Sequence, residues 1–291
     1  MKSFLPEHIE KILITGGAGF IGGNLIRKLL KESNATIYNI DKMGYASDRN
    51  FINEGFISSR EKSNKNKYNF LNIDLANLED IKSAVERIKP DAVMHLAAES
   101  HVDRSIKSPA SFLSSNVFGT FNLLESIRYY WELLPSPKKE NFRFHHISTD
   151  EVYGSLGEKG FFKEDTPYNP RSPYSASKAS SDHFVNAWHE TYGLPILVTN
   201  CSNNYGPYQF PEKLIPLAIN KGLKKQSIPL YGDGHNIRDW LFVDDHIDAL
   251  ILVLSKGQIG ENYCVGGYGE KTNKKVIEDI CELLNKFTND E

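Results

Sequence analysis

Cysteine is scarce in this chain of 291 residues. Its three cysteines, Cys201, Cys264 and Cys281, lie far apart, and no CxxC motif is present. An odd number and wide spacing disfavour both a disulfide framework and a zinc site, so we predict no bound metal. Scattered cysteines fit a reducing compartment, and we expect the protein in the cytoplasm.

Long apolar runs and a surplus of basic charge are also missing. The longest apolar run, ALILVL at 249–254, is far too short to span a membrane. The N-terminus, MKSFLPEHIEKILIT, has neither the apolar core nor the cleavage site of a signal peptide. Lys and Arg number 34 against 37 Asp and Glu, which gives a net charge of -3. We therefore predict neither a membrane nor a nucleic acid as a partner.

The residues that are present alternate between buried-strand and amphipathic-helix patterns. Apolar strands are predicted at 11–15, 36–40, 68–73, 92–97, 142–148 and 195–200, and helices at 20–33, 79–89, 108–133 and 173–192. Strands that are apolar along their whole length indicate a parallel sheet covered on both faces. The fold class is thus α/β, with a Rossmann-type doubly wound parallel sheet.

The rhythm changes after Asn200, where Gly, Pro and Asn become frequent. The later elements are predicted as helices near 211–222, 245–255 and 272–287 and strands near 228–231, 240–243 and 262–265. We predict a first domain at 1–200 and a smaller α/β domain, which binds the substrate, at 201–291. The polar segment 41–67 is predicted to be an irregular excursion.

A glycine-rich turn, TGGAGFIG at 15–22, joins the first strand to the first helix. Gly16, Gly19 and Gly22 allow a tight turn and a close approach of a pyrophosphate, which the helix N-terminus attracts. Asp41 ends the second strand, where an acid binds ribose hydroxyls and repels a 2′-phosphate. The pattern predicts NAD. Lys42 leaves NADP as an alternative, and a second alternative is a turn whose glycines serve packing alone.

A tyrosine and a lysine lie one helical turn apart in SPYSASKASSDH at 172–183. Tyr174 and Lys178 are at positions i and i+4 and share one face of a helix. An ammonium near a phenol favours the phenolate, which can then exchange a proton with a hydroxyl while hydride moves to nicotinamide. The YxxxK pattern alone is common by chance, and its place after a glycine cradle makes it informative.

Two adjacent acids follow a threonine at the end of the predicted fifth strand, in HHISTDEVYG at 145–154. Asp150 and Glu151 repel each other, so one of them tends to hold a proton at neutral pH. Such a pair can supply one acid and one base to neighbouring carbons. The alternative is that both acids cap the turn that follows.

These motifs resemble the extended short-chain dehydrogenase/reductases, and within them the dTDP-glucose 4,6-dehydratase family. The resemblance runs from about Lys11 to Lys286, and its motifs are TGGAGFIG, HLAAESHVDRSI, HHISTDEVYG, YSASKASSDH, TNCSNNYGPYQFPEKLIPLAI and YGDGHNIRDWLFVDDH. It implies NAD-dependent oxidation of dTDP-glucose at C4, loss of water across C5 and C6, and return of the hydride to C6. The product is a 4-keto-6-deoxy sugar for deoxysugar biosynthesis of the dTDP-rhamnose type.

The resemblance also implies roles for individual residues. Tyr174 is the base at C4, helped by Thr149 and Lys178, while Asp150 is the acid for the C6 hydroxyl and Glu151 the base at C5. The residues expected to bind the cofactor are Gly16, Gly19, Phe20, Ile21, Gly22, Asp41, Lys42, Asp74, Leu75, Leu96, Ala97, Ala98, Ser100, Ser115, Tyr174, Lys178 and Asn204. Those expected to bind the nucleotide sugar are Ser100, Thr149, Asn203, Lys213, Leu214, Pro229, Tyr231, Arg238 and Asn273.

Two further expectations concern assembly and chain length. The family dimerises through helices that correspond to 108–133 and 173–192, so we expect a homodimer, although the stripe Phe184, Trp188 and Tyr192 is more typical of a core. The family continues past the last helix with an Asp-Arg-Pro-Gly-His-Asp type segment of the nucleotide site, whereas this sequence ends at Glu291. We therefore expect the nucleotide site to be affected, and the cradle and chemical residues to be untouched.

Two other functions stay open from the residues. One is another nucleotide-sugar enzyme, either a 4,6-dehydratase for a different nucleotide or a 4-epimerase. The other is a catalytically silent NAD-binding protein. An epimerase needs no acid–base pair after Thr149, and the presence of all five candidate catalytic residues argues against silence.

Overall fold

The computed structural model describes residues 5–48, 50, 67–156, 160–230 and 232–288. The strands are β1 (Lys11–Thr15), β2 (Thr36–Asp41), β3 (Tyr68–Asn72), β4 (Ala92–His95), β5 (Arg143–Thr149), β6 (Ile196–Cys201), β7 (Asn203–Tyr205), β8 (Ile237–Arg238), β9 (Trp240–Phe242), β10 (Asn262–Val265) and β11 (Lys271–Thr272). The α-helices are α1 (Phe20–Glu32), α2 (Leu78–Ile88), α3 (Val102–Lys107), α4 (Pro109–Phe112), α5 (Gly119–Glu132), α6 (Ser136–Asn141), α7 (Pro173–Tyr192), α8 (Leu214–Leu223), α9 (Val243–Lys256) and α10 (Asn273–Thr288). A π-helical turn spans Leu113–Phe118, and a 3-10 turn spans Asp150–Tyr153.

The central sheet has seven strands in the order β10-β6-β5-β4-β1-β2-β3. The pairings of β1 with β2 and β4, of β2 with β3, and of β4 with β5 are parallel. The order 3-2-1-4-5-6 is that of the doubly wound dinucleotide-binding fold. The predicted Rossmann-type sheet is confirmed. Its strand order reverses at β1, so the carboxyl ends of β1 and β4 border the crevice where such folds bind ligands.

Burial on both faces explains why the strands show no alternation. Ile12, Leu13 and Ile14 are consecutive in β1, and all three are fully buried. The main core cluster joins sheet residues such as Leu13 and Phe144 to Leu123 on α5 and Val185 on α7. The helices that carry the candidate residues are thus anchored to the sheet by apolar packing.

Three predicted elements differ from those observed. The strand predicted at 92–97 ends at His95, because the amides of Leu96 and Ala97 bond to the carbonyl and hydroxyl of Thr15, at 3.1 and 3.2 Å. The helix predicted at 108–133 is interrupted by the π-helical turn. Residues 228–230 form no strand, and Pro229 among them has no N–H for a sheet hydrogen bond. Most of the predicted excursion at 41–67 lies outside the described residues.

The aromatic stripe on α7 belongs to the core only in part, because Trp188 packs against the main core cluster while its two neighbours are exposed. Phe184 and Tyr192 are 36% and 43% exposed. The indole N–H of Trp188 donates to Glu125 on α5, at 2.9 Å, and the guanidinium of Arg128 lies 4.6 Å from the centre of the Tyr192 ring. The stripe therefore covers the edge of the α5–α7 packing and reaches the surface.

The chain divides into two compact units. The first contains residues 1–200 and 247–264, and the second contains 201–246 and 265–291. In the second unit, β7 pairs with β9, β8 pairs with β11, and α8 and α10 share a small apolar core around Ala218 and Val276. The predicted assignment of cofactor binding to 1–200 and of substrate binding to 201–291 stays a prediction. Within the described part of the chain, no helix combines the length and apolarity needed to cross a membrane.

Candidate active site

The glycine turn packs directly against the end of β4. Gly16 has φ +74°, and a Cβ on it would lie 2.6 Å from the amide nitrogen of Ala97. A Cβ on Gly22 would lie 2.8 Å from the Cα of Gly17. Side chains at these positions would therefore collide with backbone, which explains why the turn needs glycine. The backbone at this turn leaves room for a ligand that approaches the main chain.

The N-terminus of α1 follows the turn and is suited to an anion. Its N-cap is Gly19, which provides no side-chain hydrogen bond, and its first turn contains no acidic residue. The partial positive charge there is thus not neutralised by an acid of the helix's own first turn, and Phe20, Ile21 and Gly22 contribute the first helical amides. This arrangement fits the pyrophosphate of a dinucleotide.

Asp41 at the end of β2 is tied to the turn and to the segment that follows it. One carboxylate oxygen accepts from the Ala18 amide at 3.0 Å, and the other accepts from the Met43 amide at 2.8 Å and the Ser47 hydroxyl at 3.0 Å. Asn39 reinforces the same turn by accepting from the Gly17 amide at 3.0 Å. Asp41 is thereby held beside the cradle, where it can accept ribose hydroxyls.

Lys42 is engaged by an acid on the other side of the crevice. Its ammonium lies 2.8 Å from a carboxylate oxygen of Glu99 and donates to the Ser115 hydroxyl at 2.5 Å. A lysine already paired with a carboxylate has less positive charge to offer a 2′-phosphate. The structure therefore favours NAD over NADP at this position.

The other predicted cofactor residues of the first unit lie around the same strand ends. Leu96, Ala97, Ala98 and Ser100 follow β4, and Ala98 and Ser100 are exposed. Asp74 follows β3, is exposed, and accepts from the Ala76 amide at 2.9 Å. Leu75 beside it is buried in the core, so it supports the crevice through packing.

Tyr174 and Lys178 lie in the first turns of α7, whose N-terminus is well capped. Ser172 and Ser175 form a capping box, with Pro173 at the first helical position. Tyr174 and Lys178 are both buried, and the ring of Phe112 meets that of Tyr174 edge-on at 6.3 Å between centroids. The ammonium of Lys178 donates to the carbonyl of Ile147 on β5 at 3.0 Å. This hydrogen bond joins the Tyr–Lys helix to the strand that ends at Thr149.

Thr149, Asp150 and Glu151 form the junction between β5 and the 3-10 turn. The Thr149 hydroxyl accepts from the Glu151 amide at 3.3 Å and lies 3.4 Å from a carboxylate oxygen of Asp150. All three side chains are half-buried, and α7 packs against this turn. The structure thus brings the hydroxyl and both acids to one strand end beside the helix of Tyr174 and Lys178.

Behind this junction lies a buried acid that the sequence reasoning missed. Asp182 on α7 is completely buried. Burial alone would raise its pKa, but the hydrogen bond from His146 and the nearby charge of Lys178 bring the pKa of Asp182 below its usual value. Its position, four residues after Lys178, was the available signal, since i and i+4 share a helix face.

Asn116 in the π-helical turn is a second missed residue. Its amide nitrogen donates to the Glu99 carbonyl at 3.0 Å and to the Ser177 hydroxyl at 2.8 Å, and its oxygen accepts from the Glu99 amide at 2.8 Å. Asn116 therefore links the segment after β4 with α7. A helix interruption of this kind gives no clear pattern in a single sequence.

The residues predicted to bind the substrate lie mostly in the second unit. Arg238 is exposed on β8, which pairs with β11, and Asn273 follows β11 directly. The backbone N–H of Asn203 on β7 donates to the backbone carbonyl of Asp239 at 3.1 Å. These three residues therefore lie on adjoining segments, whereas Lys213 and Leu214 are at the N-terminus of α8.

The remaining predicted residues of this unit are placed as follows. Pro229 is half-buried in irregular chain, and Tyr231 lies outside the described residues. Asn204, predicted to bind the cofactor, accepts from His246 at 2.8 Å through its side-chain oxygen. Burial lowers the pKa of His246 to about 4, so this imidazole is neutral at neutral pH.

Comparison with known proteins identifies the family of this chain. A family model described as GDP-mannose 4,6 dehydratase matches residues 13–290. The dTDP-glucose 4,6-dehydratase of Haemophilus influenzae is 53% identical over 277 residues, which is 95% of this chain and 80% of that protein. The chain belongs to the dTDP-glucose 4,6-dehydratase family.

Solved structures of the family are similar over nearly the whole chain. The dTDP-glucose 4,6-dehydratase of Bacillus anthracis, solved in complex with NAD, is 43% identical with a TM-score of 0.82, covering 94% of this chain and 81% of that one. The enzyme of Streptomyces venezuelae, also solved with NAD bound, is 38% identical with a TM-score of 0.83, covering 97% and 82%. The dehydratase family thus includes relatives that bind the cofactor predicted here.

Proposed function

We propose that this protein is a dTDP-glucose 4,6-dehydratase, a hydro-lyase that uses NAD and regenerates it in each turnover. The observation that carries the proposal is the hydrogen bond from Lys178 to Ile147, because it joins the helix of Tyr174 to the strand end of Thr149, Asp150 and Glu151. A redox pair and an elimination pair beside each other are what C4 oxidation followed by water loss requires.

The cradle would hold the cofactor by its phosphates and ribose. Gly16, Gly19 and Gly22 admit the pyrophosphate at the start of α1, and Asp41 accepts hydrogen bonds from the adenosine ribose. The other predicted cofactor residues of the first unit follow β3 and β4 and would lie beside the bound cofactor. Bound NAD supplies the hydride acceptor for C4 and the hydride donor for C6.

The oxidation step would rest on Tyr174, Thr149 and Lys178. Tyr174 takes the proton of the C4 hydroxyl, and the Thr149 hydroxyl bonds to the same oxygen. Lys178 favours the phenolate form of Tyr174 through its positive charge. A ketone at C4 then makes the C5 proton acidic enough for a carboxylate to remove.

The elimination step would rest on the acid pair. Glu151 removes the C5 proton, and Asp150 gives a proton to the departing C6 hydroxyl. Adjacent carboxyl groups share their protons as a pair, so one is ready to donate while the other accepts. A 4-epimerase has no use for this pair, which is why we prefer the dehydratase.

The nucleotide sugar would be bound by the residues that the resemblance implies. The residues proposed to contact it are Ser100, Thr149, Asn203, Lys213, Leu214, Pro229, Tyr231, Arg238 and Asn273. A guanidinium fork such as that of Arg238 suits a diphosphate. We also propose a cofactor domain at 1–200 and a substrate domain at 201–291.

Incubation with single substrates tests the function. The protein is given dTDP-glucose, UDP-glucose or GDP-mannose without added reductant, and Tyr174→Phe is the control. We expect a 4-keto-6-deoxy product from dTDP-glucose alone, and none from the variant. A galacto-configured product would show an epimerase instead, and no turnover of any sugar would favour the catalytically silent NAD-binding protein.

We also propose that the enzyme is a cytoplasmic homodimer. Leu113 and Phe118 in the π-helical turn are 51% and 61% exposed, and large exposed apolar side chains near each other favour burial in an interface. The segments at 108–133 and 173–192 would form that interface. Three free thiols suit a reducing compartment. The product would enter deoxysugar synthesis of the rhamnose type.

A further inference from the structure

Asp182 accepts hydrogen bonds from four side chains on three segments of the first unit. One carboxylate oxygen accepts from His146 on β5 at 3.0 Å. The other accepts from the Ser148 hydroxyl at 2.8 Å, the Tyr168 hydroxyl at 3.0 Å and the Asn200 amide at 3.1 Å. A completely buried carboxylate is stable as an anion only when donors and a positive charge compensate its lost hydration.

The positive charge beside Asp182 comes from Lys178, because the buried histidines nearby are neutral. Burial, together with the charge of Lys178, lowers the pKa of His146 to about 4. The ring of His95 is 5.2 Å from that of His146, and burial holds its pKa well below the usual value too. His146 therefore donates as a neutral imidazole, and Asp182 balances the ammonium of Lys178.

Asp182 is also connected to Thr149. The amide of Asn200 donates both to Asp182 and, at 3.2 Å, to the backbone carbonyl of Thr149. Ser148, the residue before Thr149, donates to Asp182 directly. The end of β5 is thus held to α7 on one side of Asp182, and Lys178 holds it again through Ile147.

We propose that Asp182 is a positioning residue for the Tyr174–Lys178 pair, balancing the charge of Lys178 and holding the strand end that carries Thr149. This inference rests on the proposed function for its catalytic meaning, since only an oxidising enzyme needs the phenolate of Tyr174. Asp182 touches neither the sugar nor the cofactor in this role. It acts through the lysine and through the position of Thr149.

Other titratable groups face this cluster from the elements packed around it. They are His95 on β4, His146 on β5, Asp150 and Tyr153 in the 3-10 turn, Tyr168 in the preceding loop, Lys178 on α7 and Cys264 on β10. Burial raises the pKa values of Tyr153, Tyr168 and Cys264, so these three are uncharged at neutral pH. Among these groups, Lys178 is the cation that a loss of charge at Asp182 leaves unbalanced.

Titration of Tyr174 in Asp182→Asn tests the proposal without any sugar. The phenolate absorbance is measured against pH, and the same curve of a matched Tyr174→Phe protein is subtracted so that only Tyr174 remains. Loss of the nearby anion leaves the ammonium of Lys178 unbalanced and removes a negative charge that opposes the phenolate, so we expect the Tyr174 midpoint to fall by about one pH unit. With dTDP-glucose, the first hydride transfer at neutral pH should slow about tenfold because Thr149 is no longer held in place, and raising the pH should not restore it.

Tyr168→Phe is the matched control, because it removes one hydrogen bond from Asp182 and leaves the charge. It should lower the stability and leave the Tyr174 midpoint unchanged. An unchanged midpoint in Asp182→Asn, or an equal shift in Tyr168→Phe, overturns the proposal. Because the titration needs no substrate, its result is separate from a failure to turn over dTDP-glucose, which would overturn the proposed function instead.

A second measurement applies if Asp182→Asn folds poorly. The double variant Asp182→Asn/Lys178→Met removes both charges, so it should unfold at a higher denaturant concentration than Asp182→Asn alone. The opposite order would show that Asp182 does not balance Lys178, and would overturn the proposal.

Discussion

Asp150 and Glu151 are neighbours in the chain with separate proposed tasks, and a conservative change in one of them separates the steps. Asp150→Asn removes the proton for the C6 hydroxyl and leaves Tyr174, Thr149 and Lys178 in place. We expect water loss to slow about 100-fold, a typical general-acid effect, with C4 oxidation much less affected. Rapid mixing with dTDP-glucose should then show reduced nicotinamide accumulating early in the reaction.

Glu151→Gln is the companion variant, because it should stop the step before water loss. In deuterated water, Asp150→Asn should still exchange the C5 proton of the bound sugar, and Glu151→Gln should not. Equal slowing of C4 oxidation and water loss by Asp150→Asn would contradict the assignment of the acid.

Individual site residues could be predicted from the sequence where they belong to short motifs. Thr149, Asp150, Tyr174 and Lys178 follow each other in recognisable patterns, and the structure brings their segments together. Asp182 went unrecognised because its partners come from β5, the loop before α7 and the end of β6. The i, i+4 spacing from Lys178 indicates only a shared helix face, and the hydrogen bonds that join Asp182 to these distant segments leave no pattern in the sequence.

Among the elements, the turn from β1 to α1 has the strictest steric requirement. Gly16→Ala would place a methyl group against the backbone of Ala97 and would also strain a residue at φ +74°. We expect a loss of about 2–4 kcal/mol in the free energy of unfolding, since the left-handed conformation alone costs about 1–2 kcal/mol and the backbone must shift as well. Chemical denaturation measures this loss.

Gly232→Ala is the matched control for that prediction. Gly232 has φ +62°, but a Cβ there would meet no atom within 4 Å. Its substitution should cost only the conformational part, and NAD binding should be unchanged. If both variants lost the same stability, the collision with Ala97 would not be the reason for glycine at position 16.

Elements with strong periodicity were predictable, and those decided by tertiary contacts were not. The strands β1, β2 and β5 were predicted within one residue of their ends. The π-helical turn at 113–118 was not foreseen, because it is stabilised by Asn116 bonding to the segment after β4. The two-residue strands β8 and β11 are too short to show any alternation.

For the whole molecule, acid should weaken the fold through His246. Its pKa falls from 6.5 to about 4 because of burial, so the native state takes up its proton only near pH 4. The unfolded chain binds that proton below pH 6.5, and stability is therefore unaffected above 6.5 and is lost as the pH falls toward about 4. The loss should be about 3 kcal/mol over this window, measured by denaturation at each pH.

His246→Asn is the control, because its amide can still donate to Asn204 and does not titrate. Its stability should depend less on pH over the same window, by about the same 3 kcal/mol. Identical slopes for the two proteins would show that His246 does not drive the acid response.

The proposed dimer gives a second prediction at this scale. Phe118→Glu places a charge on the exposed apolar surface of the π-helical turn, so it should shift the protein from dimer to monomer in sedimentation experiments. Phe287 is 83% exposed on α10, outside the proposed interface segments, and Phe287→Glu should remain a dimer. A parent protein that is monomeric at all concentrations would contradict the interface.

Three hydrogen bonds, to Ala18, Met43 and Ser47, hold the Asp41 carboxylate in place before any ligand binds. This bears on how the enzyme depends on the NAD pool of the cell. A preorganised nucleotide pocket loses little conformational entropy on binding, and it can retain the bound cofactor over many turnovers. A dehydration that hands its hydride back to the same sugar leaves NAD as it began, so nothing requires the nucleotide to leave. The enzyme would then regenerate its own bound NAD in every turnover, and its rate would not depend on the ratio of free NAD to free NADH.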